Sequence, residues 1–512
     1  MAERYAAPAE TRIAAMKLAR LCEGLGVGAL APDGEGAGET EISDLAYDSN
    51  EVGEGTLFFC VSGMTADGHD YAPAAVEAGA AALVVERPLD LGVPELRVAD
   101  SRAAMPPLAA RFFGDPTGEL AVGAVTGTNG KTTTAFLLRS ILEAAGIQSG
   151  LLGTISMVVG GQRTDAVRTT PEAIDLQRTF ARMLEGGDRA CSMEISSHAL
   201  VLGRADAIDV RAAAFTNLTQ DHLDFHADME DYYAAKRLLF TGAEGRRPPR
   251  TSVVNVDDEW GRRLAAELAA TETELVTISP AGGAADLSAA EVSFDAGGSR
   301  FELRAGSERY RVEMPLPGHF NVENSLAGLG LAVGLGVDLD EAVAALKEAE
   351  PVPGRMEPID RGQSFAVLVD YAHTPDSLEN VLRAARKLTS GRLISVLGCG
   401  GDRDRAKRPL MGRAGAELSD LAVITSDNPR SEDPGAILED VLAGIENRDS
   451  VLVEVDRREA IGLAFERARD GDLVVIAGKG HEQGQEFEDG RKIPFDDREV
   501  AREQLHAIGA AA

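Results

Sequence analysis

The residues best suited to chemistry lie in one loop, Thr126 to Thr133, which reads Thr-Gly-Thr-Asn-Gly-Lys-Thr-Thr. The backbone N–H groups of such a glycine-rich loop, together with the positive end of a following helix, bind a polyphosphate. Lys131 can then reach the terminal phosphates, and the Thr132 hydroxyl can bind the accompanying Mg²⁺. The loop departs from the general P-loop pattern, because Val125 stands where the first glycine is expected and the extra glycine is Gly127. The loop still predicts binding of ATP with Mg²⁺.

The segments on either side of this loop have the pattern of a strand and a helix. Val122 and Val125 suit a buried strand, and Gly146 would end the helix. The apolar residues that recur along one helical face are Leu137, Leu138, Ile141, Leu142 and Ala145. This strand–loop–helix order favours phosphate binding over a chance Gly-Lys-Thr at a helix start.

Charge and apolar pattern exclude several classes of function. The 512 residues include 51 basic and 83 acidic side chains, and the net charge of −32 argues against a surface that binds DNA or RNA. No apolar run approaches the ~18 residues of a membrane span, and residues 1–20 lack the apolar core of a signal peptide. We therefore expect a cytoplasmic protein, with no nucleic-acid partner and no membrane span, and we expect a monomer.

Length and periodicity predict an α/β protein of three domains, since 512 residues exceed what one core supports. Residues 1–118 alternate short strands and helices, as a small N-terminal α/β domain would. Residues 119–350 continue the alternation that begins at the loop, which is typical of a P-loop ATPase-like, mostly parallel sheet. Residues 351–512 show a third alternation, typical of a Rossmann-like domain.

Polar side chains follow several of the predicted strands, where ligands collect in α/β sheets. In the central domain they include Glu194, Ser196 and the run from Asp221 to His226. In the third domain they form the runs 370–373, 400–404, 427–430 and 478–482. None matches the Gly-x-Gly-x-x-Gly fingerprint, which disfavours a nicotinamide or flavin enzyme. The sequence therefore predicts a second ligand site on the third domain.

Taken in order, these motifs resemble those of the Mur ligase family, the ATP-dependent amide-forming enzymes of peptidoglycan synthesis. The resemblance covers essentially the whole chain, and in the central domain it rests on residues 126–133, 196–198, 216–218, 221–226 and 317–321. The runs 427–430 and 478–482 resemble the branch that adds meso-diaminopimelate to the D-glutamate of UDP-N-acetylmuramoyl-L-alanyl-D-glutamate. The resemblance implies that ATP phosphorylates the acceptor carboxylate and that the amine then attacks the acyl phosphate.

The resemblance also implies which residues bind each substrate. The ATP site would contain Gly127, Thr128, Asn129, Gly130, Lys131, Thr132, Thr133, Asn321, Arg355, Asp370 and His373. The UDP-sugar peptide would contact Ser49, Thr169, Thr170, Ser196 and Arg204. Diaminopimelate would contact Arg403, Asp427, Asn428, Pro429, Arg430, Gly478 and Glu482. One departure is Leu202, at a position where this branch often has a glutamine. The polar contact that the glutamine makes to the nucleotide substrate would here have to come from water or another side chain.

The implied catalytic residues are Lys131, Glu194, His222 and Lys236, and the implied Mg²⁺ ligands are Thr132, Glu194, His222 and Lys236. Lys236 looks like the family's lysine that CO₂ carbamylates into an anionic, carboxylate-like group. On composition alone an exposed helix lysine in a salt bridge would be favoured, but its position downstream of Asp221 and His222 favours the modified residue.

Three alternatives remain open at this point. Arg430 can grip the distal carboxylate that meso-diaminopimelate has and lysine lacks, but a lysine-adding Mur ligase is the nearest alternative. A folylpolyglutamate synthetase shares this type of loop and would not need the N-terminal domain. A nucleotide-gated binding protein that lost turnover is disfavoured by Lys131, Glu194, His222 and Lys236.

Overall fold

The computed structural model describes residues 15–25, 36–63, 66–242, 246–295 and 297–511, with side chains up to residue 508. Among these residues the strands form three main sheets of four, eleven and six strands, and two small two-stranded ribbons. No helix in the described part of the chain combines the length and the apolar character that crossing a membrane requires. Helices cover the two larger sheets on both faces, which confirms the α/β fold class.

The first sheet belongs to the N-terminal part of the chain, where β3-β4-β5-β6 run parallel in that order and β1 pairs with β2. The elements are β1 (Met16–Lys17), α1 (Leu18–Cys22), β2 (Glu41–Ile42), β3 (Asp44–Ala46), β4 (Thr56–Phe59), α2 (Ala72–Glu77), β5 (Ala80–Val85), β6 (Glu95–Arg97) and α3 (Ser101–Phe112). Helix α3 begins after Asp100, whose carboxylate accepts hydrogen bonds from the N–H groups of Arg102 and Ala103.

The eleven-stranded sheet forms the centre of the molecule. Its elements are β7 (Ala121–Thr126), α4 (Lys131–Ala144), β8 (Ser149–Leu152), β9 (Ser156–Val159), β10 (Gln162–Asp165), α5 (Ala173–Glu185), β11 (Ala190–Glu194), α6 (Ser197–Val201), β12 (Val210–Phe215), α7 (Met229–Thr241), β13 (Thr251–Asn255), α8 (Glu259–Leu268), β14 (Glu274–Ser279), β15 (Leu287–Asp295), β16 (Gly298–Ala305), β17 (Glu308–Met314), α9 (His319–Gly334) and α10 (Leu339–Ala345).

The strand order is β10-β9-β8-β11-β7-β12-β13-β14-β15-β16-β17, parallel from β8 to β15 and antiparallel at both edges. The antiparallel strands β15, β16 and β17 form one edge of this sheet. The register aligns Glu194 with Val125 and Phe215 with Thr126. The loops that follow β7, β11 and β12 therefore leave the sheet side by side.

The six-stranded sheet has the order β18-β19-β23-β20-β21-β22, and all pairs except β18–β19 are parallel. The elements are β18 (Glu357–Pro358), β19 (Ala366–Asp370), α11 (Pro375–Leu388), β20 (Leu393–Leu397), α12 (Lys407–Leu418), β21 (Leu421–Ile424), α13 (Pro434–Leu442), β22 (Val451–Val453), α14 (Arg457–Arg467), β23 (Leu473–Ala477), β24 (Gly484–Glu486), β25 (Lys492–Pro494) and α15 (Asp497–Ala511). Asp370 aligns with Ala477, so the loops after β19 and β23 share one edge.

Polar contacts join this sheet to the central one at the loop edges. Asn129 Nδ2 donates to Asp376 Oδ2 at 2.9 Å, and Gln220 Nε2 donates to Asp404 Oδ2 at 3.3 Å. The carboxyl ends of the two sets of parallel strands therefore face each other across one interface, which is where α/β sheets bind ligands.

Candidate active site

The loop after β7 is built around two glycines with positive φ. Gly127 has φ +151° and Gly130 has φ +87°, and a Cβ on Gly127 would lie 1.9 Å from Thr216 Oγ1. Lys131 Nζ donates to the carbonyls of Gly127 at 2.9 Å and Thr128 at 2.8 Å, so the side chain curls over its own loop. Burial lowers the pKa of Lys131, while Glu194 and other nearby carboxylates oppose this. The ammonium thus lies at the site expected for phosphate.

Glu194, the last residue of β11, gathers hydroxyl and amide donors beside this loop. Its fully buried carboxylate accepts from Thr132 Oγ1 at 3.0 Å, Thr154 N at 2.8 Å and Thr154 Oγ1 at 3.0 Å. Its backbone carbonyl accepts from Thr170 Oγ1 at 3.0 Å. Thr169 joins the cluster through a 3.0 Å contact with the Thr154 hydroxyl. One carboxylate therefore links the phosphate loop to the threonines predicted to hold the acceptor.

Lys236 projects from α7 into the back of the same site. Its Nζ donates to Gly127 O at 2.8 Å and lies 4.5 Å from the centroid of the Tyr232 ring, and its side chain is 1% exposed. Burial and the nearby Lys131 hold the pKa of Lys236 well below its ordinary value, although Asp221 opposes them. A lowered pKa favours the uncharged amine, which is the form that reacts as a nucleophile.

Asp221 lies where the two sheets meet and faces basic side chains from both. Its carboxylate lies 3.4 Å from His222 Nε2, 3.9 Å from His373 Nε2 and 3.8 Å from Lys407 Nζ. Burial lowers the pKa of His222 to about 3 and that of His373 to about 4, so both rings are neutral near pH 7. His222 also has φ +55°, an uncommon conformation that is frequent at functional sites.

These groups line a cavity of about 620 Å³ between the central and C-terminal sheets. The predicted residues on its wall are Thr128, Asn129, Gly130, Lys131, Thr132, Thr169, Thr170, Glu194, Ser196, Arg204, His222, Lys236, Arg355 and His373. Arg355 reaches from the C-terminal part to donate from Nη2 to Thr132 Oγ1 at 3.2 Å. These fourteen predicted nucleotide, metal and acceptor residues therefore share one cavity.

A second cavity of about 220 Å³ adjoins the first, and Asp221, His222, Asp224, Tyr371 and His373 line both. Its wall contains the predicted amino-acid residues Arg403, Asp427, Asn428, Arg430, Gly478 and Glu482. Arg430 Nη1 donates to Gly401 O at 2.7 Å, and its Nε lies 3.2 Å from Glu486 Oε2. Asn428, Arg430 and Glu482 also line a third cavity of about 660 Å³, which opens toward the β9–β10 hairpin.

Comparison with known proteins places the whole chain in one family. Residues 41–112 match the Mur ligase family catalytic domain, 125–332 the Mur ligase middle domain, and 354–480 the Mur ligase glutamate ligase domain. A UDP-N-acetylmuramoyl-L-alanyl-D-glutamate--2,6-diaminopimelate ligase of Solibacter usitatus is 47% identical over 483 residues, which cover 94% of this chain and 96% of that protein. The chain belongs to the Mur ligase family.

Solved structures of Mur ligases agree with this assignment. A structure of a UDP-N-acetylmuramoyl-L-alanyl-D-glutamate--2,6-diaminopimelate ligase, 32% identical, aligns with a TM-score of 0.68 and covers 97% of this chain and 100% of that one. A MurF ligase from Thermotoga maritima in complex with ADP, 18% identical, aligns with a TM-score of 0.60 over 91% of this chain and 96% of that one, which shows a shared fold. The predicted family and fold are therefore confirmed, and the members of this family are ATP-dependent ligases.

Six of the residues predicted to bind ligands in this Mur ligase are not on the walls of these cavities. Gly127 and Thr133 lie in or directly behind the loop. Asn321 bonds Pro317 O at 2.8 Å, and Asp370 is buried while accepting from the N–H groups of Met356 and Ala372. The remaining two are Ser49, in a short 3-10 helix that follows β3, and Pro429, between two wall residues. Their roles stay predictions.

Several wall residues of the Mur ligase site had no role in the sequence-based prediction. Thr154 and Lys407 carried no signal, because a threonine after a short strand and a lysine at a helix start are ordinary surface residues in sequence. Tyr371 and Asp221 lie inside the runs 370–373 and 221–226, so their positions after strand ends could have indicated that they line the site. The centroid of the Tyr371 ring lies 4.6 Å from Arg355 Cζ.

Proposed function

We propose that this Mur ligase adds meso-diaminopimelate to the D-glutamate of UDP-N-acetylmuramoyl-L-alanyl-D-glutamate, with ATP converted to ADP and phosphate. The observation that carries this proposal is the shared wall of Asp221, His222 and His373, which borders both the phosphate cavity and the cavity of Arg403 and Arg430. An activated carboxylate in the first cavity can then meet an amine held in the second. The relatives whose names specify this reaction support the same substrates.

The reaction forms and breaks bonds in two steps. A carboxylate oxygen of the acceptor attacks the γ-phosphorus of ATP, ADP leaves, and an acyl phosphate results. The neutral amine of diaminopimelate then attacks the acyl carbon, loses a proton and expels phosphate through a tetrahedral intermediate. Each step brings anions together, so Lys131 and Arg355, which reach the loop from the two sides of the cavity, stabilise the developing charge.

The residues of the phosphate cavity fit a Mg²⁺ ion. Thr132 Oγ1 and Glu194 Oε2 are 3.0 Å apart, and the neutral ring of His222 lines the same wall. No group of three or more His, Cys, Asp and Glu side chains within the described ranges is arranged as a complete metal site. In proteins Mg²⁺ commonly takes one or two carboxylates and completes its shell with phosphate oxygens and water. When bound, the ion would neutralise charge on the phosphates.

Lys236 would contribute to this site as a carbamate. Its neutral amine can attack the carbon of CO₂, forming an N–C bond, and loss of one proton from nitrogen leaves an anionic group. Burial and the depressed pKa of Lys236 support this chemistry, because a protonated ammonium has no lone pair with which to attack. The carbamate would then be a second carboxylate-like ligand for Mg²⁺, in addition to Glu194.

Each of the three proposed domains would bind one substrate. Residues 1–118 would bind the UDP-sugar, residues 119–350 would bind ATP, and residues 351–512 would bind the amino acid. Thr169, Thr170, Ser196 and Arg204 would hold the acceptor peptide, with Arg204 oriented by Glu172 at 2.9 Å, and Ser49 would contact the nucleotide. Asn321, Arg355, Asp370 and His373 would close on the adenosine and phosphates. Arg403 and Arg430 would bind the two carboxylates of diaminopimelate and Glu482 its distal ammonium. We propose a cytoplasmic monomer.

An ADP-release assay tests this function. The protein is given ATP, Mg²⁺ and the UDP-dipeptide, with diaminopimelate, lysine or D-alanyl-D-alanine supplied in parallel. We expect ADP release that depends on both the UDP-dipeptide and diaminopimelate, and mass spectrometry should detect the UDP-tripeptide. Equal use of lysine would support a lysine-adding ligase instead, and turnover with a folate acceptor would support a folylpolyglutamate synthetase.

A further inference from the structure

A lysine to which the proposed reaction assigns no role lies behind the 220 Å³ cavity, the one proposed to hold the amino acid. Lys479 follows Gly478 in the loop after β23, and its side chain is fully buried. Its Nζ donates to Asn428 Oδ1 at 2.9 Å and to Glu482 Oε2 at 2.8 Å, and it lies 4.0 Å from Asp427 Oδ1. A buried lysine needs compensating anions and acceptors, and these three groups supply them.

The same contacts fix how Glu482 presents its carboxylate. Asn428 Nδ2 donates to Glu482 Oε2 at 2.8 Å, so that one oxygen accepts from both Asn428 and Lys479. The amide of Asn428 is itself fixed, because its Oδ1 accepts from Lys479 and from Glu486 N at 3.0 Å. Within the described part of the chain, Oε1 of Glu482 has no recorded partner, and the residue lines the 220 Å³ and 660 Å³ cavities.

Charge balance points in the same direction. Asp427 and Glu482 place two carboxylates in one wall, and burial alone would raise the pKa of Asp427, but Lys479 and then Arg457 hold it below its ordinary value. Arg457 is already matched by Asp497, with contacts of 2.8 and 2.7 Å. Lys479 is therefore the cation in direct hydrogen-bonding contact with Glu482.

We propose that Lys479 is a positioning residue for amino-acid selection, which holds Glu482 Oε2 so that Oε1 faces the distal ammonium of diaminopimelate. The inference rests on the proposed function and deepens it. Lys479 itself would not touch the substrate, since its side chain is fully buried and its Nζ donates to two protein oxygens. A lysine that served only to stabilise the loop would instead affect folding without acting through Glu482.

The test is a double-mutant cycle of Lys479→Met and Glu482→Gln, read as KM for diaminopimelate, KM for ATP and kcat. We expect Lys479→Met to raise KM for diaminopimelate about 10- to 100-fold, the range of one charged hydrogen bond, with KM for ATP within about twofold of the parent. The effect should largely disappear in the Glu482→Gln background, because Lys479 acts through that carboxylate. The matched control is Lys387→Met, which replaces an exposed lysine of α11 and should change none of the three constants.

Lys479→Arg, which keeps the charge and donors, provides a second variant if the methionine protein unfolds, and it should retain a KM closer to the parent. Additive effects in the cycle, or an unchanged KM in folded Lys479→Met, would overturn the Lys479 proposal while leaving the proposed function intact. If the parent protein uses the UDP-dipeptide but not diaminopimelate, the proposed function fails and the Lys479 proposal fails with it.

Discussion

Replacing Glu194 by glutamine tests the carboxylate that connects the phosphate loop to the acceptor threonines. The carboxylate accepts hydrogen bonds from Thr132 Oγ1, Thr154 N and Thr154 Oγ1. Glutamine can keep its oxygen for the Thr154 N–H, but its NH₂ group must then donate to the two hydroxyls, which have to accept instead. Three charge-assisted hydrogen bonds are replaced by neutral ones, and each replacement costs about 1 kcal/mol. The site therefore loses roughly 3 kcal/mol of stabilisation, which corresponds to a factor of about 100 in an equilibrium or rate constant.

We expect kcat/KM for ATP to fall at least about 100-fold in Glu194→Gln, because the proposed Mg²⁺ also loses an anionic ligand. ADP release with the UDP-dipeptide and diaminopimelate measures this, and urea unfolding reports any loss of stability. Glu143→Gln is the control, since Glu143 Oε1 accepts from Ser149 N at 2.8 Å and Ser149 Oγ at 3.0 Å but lies at the far end of α4. The reasoning fails if Glu194→Gln turns over ATP like the parent, or if Glu143→Gln loses as much.

Four further outcomes can be measured. Lys236→Ala should lower turnover severely, with partial rescue by bicarbonate or short carboxylates, and full activity without them would exclude the carbamate. Arg430→Ala should lose about 1.5–3 kcal/mol of diaminopimelate binding and accept lysine more readily in competition assays. Burial raises the pKa of Glu323 to about 7, so stability should fall as pH rises from about 4.5 through 7, and Glu323→Gln should flatten that dependence in urea unfolding. Asp497→Asn should lower the free energy of unfolding by about 3–5 kcal/mol, because it leaves the buried Arg457 without its counter-ion.

Local patterns were enough to predict the parts of the site that lie next to each other in sequence or at the ends of buried strands. The strand before Gly127 and the helix after Gly130 follow from apolar spacing, and Glu194 and Asp370 end short strands made mostly of apolar residues. In an α/β sheet this alone brings such residues to one edge. The approximate positions of these residues could therefore be predicted from apolar spacing and strand ends alone.

Contacts that depend on how distant segments pack could not be predicted in this way. Thr154 reaches Glu194 because β8 pairs with β11, and no strand was predicted within residues 149–165. The burial of Lys479 depends on the meeting of its loop with Asn428, which no spacing in the sequence expresses. Both residues are of types that usually lie at the surface, so their burial becomes informative only when their partners are known.

The charge around Asp221, which lines both the 620 Å³ and the 220 Å³ cavity, depends on the approach of the central and C-terminal sheets. Within the central sheet, Asp221 has His222 as its neighbour, but burial lowers the pKa of that imidazole to about 3, so it carries no charge near neutral pH. His373 is neutral for the same reason. Among the described residues, the lysine that lies within ion-pair distance of Asp221, at 3.8 Å, is Lys407, the first residue of α12, on the C-terminal sheet. Because Arg403 and Arg430 belong to that same sheet, the approach that would deliver the amino acid also brings the cation that balances Asp221.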